Sequence, residues 1–254
     1  MKIIVCVKQV PDSEATITLQ GGSLDYNNAP MVLNPFDEYA VEGALLLKDN
    51  LGAEVIALTV GNESELDALR RTLAMGADSA VLVKVDDASQ LDNLTIAKLI
   101  AAAVQKIGDV DLLLFGRQTI DNSSGVLQAQ TARLLRWPLL GYSGRIEVSS
   151  PGIIVDRILE DSKLTVESPL PAVASIVQSI GEPRYPSFIG IKRAQKAEIG
   201  MIDATELGVG GTKVCHQAYS LPTPKAGTCE MITGADPQEI AKKAVAKIME
   251  AKVL

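Results

Sequence analysis

The chain has 254 residues, 47% of them hydrophobic and 22% charged, and its 24 basic and 31 acidic side chains leave a net charge of −7. That composition belongs to a core-forming globular protein rather than a disordered one, and the length suits one large α/β domain with or without an appendage. An acidic chain without a basic cluster is a poor nucleic-acid binder, and no apolar run reaches the ~20 residues that span a bilayer, so neither nucleic acid nor membrane insertion is expected.

Ile3–Val7 is an apolar, β-type run, too short for a signal peptide, which makes the cytoplasm the default location. The spacing of Phe36, Ala40, Val41, Ala44, Leu45 and Leu47 predicts a helix over Pro35–Lys48. Strands at Glu54–Val60, Ser79–Val85 and Val110–Phe115 then alternate with helices at Ser64–Met75, Asn93–Ile107 and Gly125–Leu135. Short apolar strands between helices of ten to fifteen residues imply right-handed βαβ crossovers and a parallel sheet. Ligands of such a sheet bind beyond the carboxyl ends of its strands, so the loops after Val7, Val60, Val85 and Phe115 are the ones to inspect.

Beyond Trp137 the texture changes. Arg145–Ser149, Ile153–Leu159 and Lys163–Glu167 read as an antiparallel meander turning at Ser150-Pro151-Gly152 and Asp161-Ser162, and Pro171–Val177 as one more strand. Gly181–Arg193, with two prolines and two glycines, reads as an exposed loop. Gly200–Gly234 has no sustained period and reads as an extended arm, either embracing a partner or lying on its own domain. An amphipathic helix over Pro237–Ala251 follows. Residues 1–193 are thus expected to form a nucleotide-binding domain with a docking loop at 182–193, and residues 194–254 an arm and helix.

The side-chain inventory limits the chemistry. Cys6, Cys215 and Cys229 form no CxxC pair, His216 is the single histidine, and no GxSxG elbow is present. A catalytic Cys215–His216 pair is disfavoured, because sequence neighbours rarely present their side chains to each other. Redox or group-transfer work would need a borrowed cofactor. Asn34 suits a helix N-cap, Pro35 the first helical position, and Asp37 and Glu38 the positive helix end. Those acids favour contact with a base or ribose over a phosphate. Gly116–Gly125 leads from a strand into a helix and offers backbone amides and two hydroxyls, a phosphate or nucleotide site in preference to an ordinary turn. Val60-Gly61-Asn62 could supply the opposite wall. In Glu182–Arg193, Tyr185, Phe188 and Ile189 stand among Arg184, Lys192 and Arg193, a recognition patch unless Phe188 and Ile189 tuck into the core.

Several stretches together resemble the β subunit of electron transfer flavoproteins: KIIVCVKQVPD, NPFDEYAVEGALLLK, VGNESE with LRRTLAMGAD, GRQTID, SPLPAV and EPRYPSFIGIK. The resemblance spans nearly the whole chain, in order and spacing. It implies a Rossmann-like, doubly wound, mostly parallel sheet of the adenine nucleotide α-hydrolase type. It implies a heterodimer with an α subunit that shares an FAD, and an AMP or a second FAD in this subunit, the second FAD being narrowly favoured. Such a carrier passes electrons between dehydrogenases, such as acyl-CoA dehydrogenases, and an acceptor; bifurcating members also oxidise NADH. Carried over by position, the nucleotide would be held by Val7, Lys8, Asn34, Gly61, Asp121, Asn122, Ser123, Ser124, Gly125, Val126 and Leu127. The docking residues would be Arg184, Tyr185, Phe188, Ile189 and Ile191, with Phe188 where leucine is usual.

This chain departs from the family where Val126-Leu127-Gln128 replaces the usual glutamine and glycine, and where Ile158 follows Arg157 in place of an acid. The competing reading is a free-standing nucleotide sensor of the universal-stress-protein type, which has no use for so long an arm. An adenylating enzyme would want an SGGxDS-like loop that Val7–Asp12 is not.

Overall fold

Strand β1 (Lys2–Cys6) lies inside the main sheet, buried along almost its whole length and hydrogen-bonded on both sides. The computed structural model describes residues 1–149, 152–214, 219–220, 223, 227 and 229–251. Ser150, Pro151 and the Cys215-His216 dipeptide therefore lie outside the described residues. Two units separate, residues 1–219 and 220–254.

In the first unit β1 is followed by two short antiparallel pairs. β2 (Gln9–Pro11) pairs with β5 (Met31–Leu33), and β3 (Thr18–Gln20) with β4 (Ser23–Asp25). The alternation expected from the sequence then runs through α1 (Pro35–Leu51), β6 (Glu54–Gly61), α2 (Leu66–Met75), β7 (Ser79–Lys84), α3 (Asn93–Ile107), β8 (Leu112–Gly116) and α4 (Leu127–Leu135). Next come β9 (Leu139–Ser149), β10 (Gly152–Ile158), β11 (Lys163–Pro169) and β12 (Ala172–Ile176). The main sheet has nine strands in the order β11-β10-β9-β12-β8-β1-β6-β7-β13, the last being Gly200–Asp203. Pairing is parallel from β9 to β13 and antiparallel from β9 to β11, so the meander extends the sheet as expected.

Apolar side chains alternate between the two faces. Ile3, Val5, Leu112 and Leu114 pack with Val41, Leu45, Leu69 and Leu73 of α1 and α2. Ile4, Leu113, Phe115 and Val173 pack with Leu99, Ile100, Val104 and Leu135 of α3 and α4. Each fully buried Leu or Ile contributes roughly 1.5–3 kcal/mol, which is why the central strands read as continuous apolar runs.

Two segments depart from expectation. Gly181–Arg193 is not a loop throughout, because α5 (Phe188–Lys196) begins inside it. The Ser187 hydroxyl accepts the Gly190 N–H at 3.0 Å and starts the helix, while Arg70 donates to the Ala194 and Gln195 carbonyls at its other end. A Cβ on Gly190 would overlap the Ala74 carbonyl oxygen, so glycine is what lets α5 close on α2. The second departure is β13: Gly200–Asp203, expected as the start of the arm, adds to the free edge of β7. Four residues are enough when the partner strand supplies the ladder.

Past β13 the backbone is clamped by one carboxylate. Asp92 caps α3 through the Thr95 N–H at 2.7 Å and also accepts the N–H groups of Lys213 and Val214, while its own N–H donates to the Thr212 hydroxyl. Hydrogen bonds, led by Thr95, hold its pKa down at about 2. That contribution to stability is complete above pH 4 and is lost as the pH falls towards 2. Asp92→Ala should both fray α3 and free residues 212–214, read as faster tryptic cleavage after Lys213 and after Lys98 in α3, with cleavage outside these segments unchanged.

The second unit holds α6 (Pro237–Ala251), begun by Asp236, whose side chain accepts the Glu239 N–H at 2.8 Å. Val245, Ile248 and Met249 are exposed on it. No helix among the described residues is long and apolar enough to cross a membrane.

Candidate functional site at the sheet switch point

From β1 the chain winds one way to β6 and β7, and the other side of β1 is taken by β8 and β12. The loops leaving β1 and β8 therefore stand at the topological switch point of the sheet, beyond its carboxyl edge, where ligands of such sheets bind. Lys8, Asn34 and Asp121, expected from three separate stretches, meet here. The Lys8 ammonium pairs with the Asp121 carboxylate. The Lys8 carbonyl accepts the Asn34 N–H at 2.9 Å.

Asn34 occupies the N-cap position of α1, but its side chain does not cap the helix. Fully buried, it reaches across to the β8 loop, donating to the Gln118 carbonyl at 2.9 Å and accepting the Ile120 N–H at 3.2 Å. The amide is thus the strut that fixes the loop carrying Asp121.

Asp37 also turns inward. It accepts the Lys8 N–H at 2.9 Å and the Gly116 N–H, so it presents no charge to a ligand at the helix end. Burial pushes its pKa up to about 7 against the pull of Asn34, Lys8 and Gly116. Folded Asp37 therefore holds a proton that the unfolded chain releases near pH 4, and stability should decline as pH rises from about 4 to about 7 and be flat above. Melting temperatures across that range should show the slope in the wild type and not in Asp37→Asn. Burial, with the Asp37 charge adding, raises the neighbouring Cys6 thiol well above its usual value, so it is no nucleophile at neutral pH.

The β8 loop runs from Arg117 to Val126. Ser123 and Gly125 are left-handed (φ 56° and 58°), and the Ser123 N–H donates to the Thr119 carbonyl at 2.9 Å. Asn122, Ser123, Ser124 and Gly125 are exposed, and Val126 stands at the N-cap of α4 without a side-chain cap, leaving the first amides of the helix beginning at Leu127 for another acceptor. Gln128, singled out in the sequence only as part of a departure from the family pattern, is the second residue of α4 and closes the loop by donating to the Arg117 and Gly125 carbonyls at 3.3 and 2.8 Å. Tyr26, just past β4, was missed; burial and then the charges of Asp121 and Tyr219 raise its hydroxyl pKa. Val7 is buried, with its N–H on the Leu58 carbonyl. Gly61 lies on the same edge but across β1 from the β8 loop, with its carbonyl on the Val85 N–H; Asn62 beside it forms a capping box with Glu65. Among the described residues Gly61 makes no hydrogen bond to Lys8, Asn34 or Asp121. The donors fit a phosphate: an uncapped helix start, exposed hydroxyls, and a lysine that neutralises the nearby Asp121.

The other expected surface is exposed. Tyr185, Phe188 and Ile189 have 89%, 70% and 79% of their area open, Ile191 is also exposed, and the Lys192 ammonium sits 4.5 Å from the centre of the Phe188 ring. Phe188 and Ile189 do not tuck into the core. Arg184, expected among the docking residues, also reaches back onto α1 in a forked pair with buried Glu42 (2.8 and 3.0 Å), with Asp49 at 3.0 Å. Among the described residues no group of three or more His, Cys, Asp or Glu side chains could hold a metal.

An open sheet with helices on both faces and its loops gathered at the switch point defines a doubly wound, Rossmann-like α/β protein. The model of the electron transfer flavoprotein domain matches residues 23–207. Over the full length of both chains, the sequence is 35% identical to the caffeyl-CoA reductase-Etf complex subunit CarD of Acetobacterium woodii and 32% identical to the electron transfer flavoprotein subunit beta of Bacillus subtilis. It is 31% identical, again over both full lengths, to the acryloyl-CoA reductase electron transfer subunit gamma of Anaerotignum propionicum. The chain belongs to the electron transfer flavoprotein family, as a β-type subunit. It is an electron-transport flavoprotein subunit that pairs with an α subunit, and the stress-protein reading falls away.

Proposed function

We propose that this β subunit lines one wall of an FAD pocket shared with its α subunit and holds a second adenine nucleotide in its own crevice. It would pass electrons from a docked dehydrogenase to an acceptor, with bifurcation where the second nucleotide is FAD. The observation that carries the reading is the hydrogen-bonded meeting of Lys8, Asn34 and Asp121 on the loop that leads into the uncapped start of α4. The nucleotide-holding residues are Val7, Lys8, Asn34, Gly61 and Asp121 through Leu127. A flavin, when bound, supplies the electron chemistry; the residues here hold it, orient it and shape its surroundings.

The second nucleotide is FAD in preference to AMP. Two of the similar proteins are named as parts of caffeyl-CoA and acryloyl-CoA reductase systems, which supports a partner acting on acyl-CoA thioesters, an acyl-CoA dehydrogenase. That partner docks on Tyr185, Phe188, Ile189 and Ile191, with Arg184 anchoring the loop. Residues 194–254 form an arm and helix that pack on the α subunit, and the heterodimer works in the cytoplasm. Co-expression with the α subunit and a count of nucleotides per purified heterodimer tests this. Two FAD supports the reading, one FAD with AMP revises it to a simple carrier, and a colourless chain that never pairs with an α subunit overturns it. Phe188→Ala should slow electron transfer from the dehydrogenase and leave flavin content intact.

A further inference from the structure

Tyr142 has a backbone that side chains avoid. In β9 its φ is 59°, at a bulge where the register with β12 slips, and its ring is 43% exposed. Glycine adopts this left-handed state freely and tyrosine does not. Three hydrogen bonds hold it there: the Tyr142 N–H donates to the Ser175 hydroxyl at 3.0 Å, Arg157 Nε donates to the Gly141 carbonyl at 2.9 Å, and the Val177 N–H donates to the Ser143 carbonyl at 3.1 Å. Strain so braced, spent on turning an aromatic face to solvent, marks a working position.

Over that ring, 5.8 Å from its centre, stands the Arg117 guanidinium. It is exposed and makes no ion pair or side-chain hydrogen bond among the described residues. The base of Arg117 is pinned through its carbonyl to Gln128 of α4. Gly116, Ile176 and Ser143 stand level across β8, β12 and β9, so Arg117 and Tyr142 share the carboxyl edge with the crevice. The β1/β8 crevice is two and a half strand spacings from β9, roughly 12 Å. One phosphate does not cover that distance; a dinucleotide does.

We propose that Arg117 and Tyr142 form a distal subsite, in which the guanidinium takes the second phosphate of a dinucleotide and the tyrosine face takes its second ring. The proposal rests on the reading that the crevice holds an adenine nucleotide, and it assigns what selects a dinucleotide over AMP. A cation above an aromatic face, neither bound to a carboxylate, suits a ligand that is anionic and planar by turns.

The test uses the purified heterodimer, dialysed free of exchangeable nucleotide and titrated with AMP, ADP and FAD. The wild type should prefer ADP to AMP by about tenfold or more. Arg117→Gln should bring that ratio to near one with AMP affinity unchanged. Tyr142→Gly removes ring and strain together, so it should raise the melting temperature while weakening FAD and leaving ADP alone. A purely structural tyrosine would move stability without FAD affinity. An unaltered ADP-to-AMP ratio in Arg117→Gln, an equal fall for all three nucleotides, or release of the α subunit by either variant overturns the subsite. A wild type that binds AMP but shows no preference for ADP overturns the subsite alone, and one that binds none of the three overturns the crevice reading with it.

Discussion

Arg184→Met should lower the melting temperature by roughly 6–12 °C and impair docking at the same time. Glu42 is buried within α1, and Arg184 meets it three ways, through its backbone N–H, Nε and Nη2. Removing the cation strands a carboxylate in the core at a cost of about 3 kcal/mol, and each kcal/mol moves a chain of this size by about 2–4 °C. Glu42→Ala should cost less, because Arg184 is one-third exposed and keeps Asp49. The double variant Arg184→Met, Glu42→Met should recover much of the loss, since neither partner is then unpaired. Thermal unfolding of all three separates these outcomes; an equal effect from either single change would remove the burial argument. Docking follows because Arg184 stands immediately before Tyr185 and four residues before Phe188. Without it the loop entering α5 has no anchor on α1, and the exposed Phe188 and Ile189 lose their fixed presentation. If residues 185–191 dock a dehydrogenase as proposed, electron transfer from it should fall further in Arg184→Met than flavin content does.

The elements legible in the sequence were those whose stability is local. α3 was legible from apolar side chains recurring at helical spacing, and the structure starts and stops it at the expected residues, Asn93 and Ile107. α5 was hidden because Pro186 and Gly190 read as breakers. The first ends just before the cap, and the second is required by contact with α2, a tertiary fact. β13 was hidden because its ladder belongs to β7. The pairs within residues 9–33 are three-residue strands with no periodic signal. Site residues were legible as loop chemistry after strands, but their jobs were not. Asn34 looked like a helix cap and is a strut between two loops; Arg184 looked like a docking cation, and its ion pair with Glu42, which anchors it on α1, could not be read from the sequence. Tyr142 carried no sign of its left-handed backbone, because that conformation is imposed by Ser175 and Arg157, far away in sequence.

Asn34→Ala should be the most damaging single change for the nucleotide while sparing the docking surface. It strips partners from the Gln118 carbonyl and the Ile120 N–H in a part-buried site, at roughly 1–3 kcal/mol for each group left unsatisfied. The loop between them positions Asp121, and Asp121 positions Lys8, so the crevice loses both walls. Nucleotide affinity should fall tenfold or more, since about 1.4 kcal/mol of lost loop ordering suffices for that. Lys8→Met is the informative contrast: its ion pair is partly exposed and worth about 0–1 kcal/mol to folding. It should leave the melting temperature nearly unchanged and still weaken binding, because the cation that neutralises Asp121 at the site is lost. Asn34→Asp keeps an acceptor for Ile120 and turns a carboxylate towards the Gln118 carbonyl, so it should bind better than Asn34→Ala only at pH low enough to protonate that side chain. Equal nucleotide affinity in wild type and Asn34→Ala would mean that the β8 loop holds its shape without the strut. Binding would then rest on the backbone turn from Thr119 to Gly125 and the side chain of Gln128.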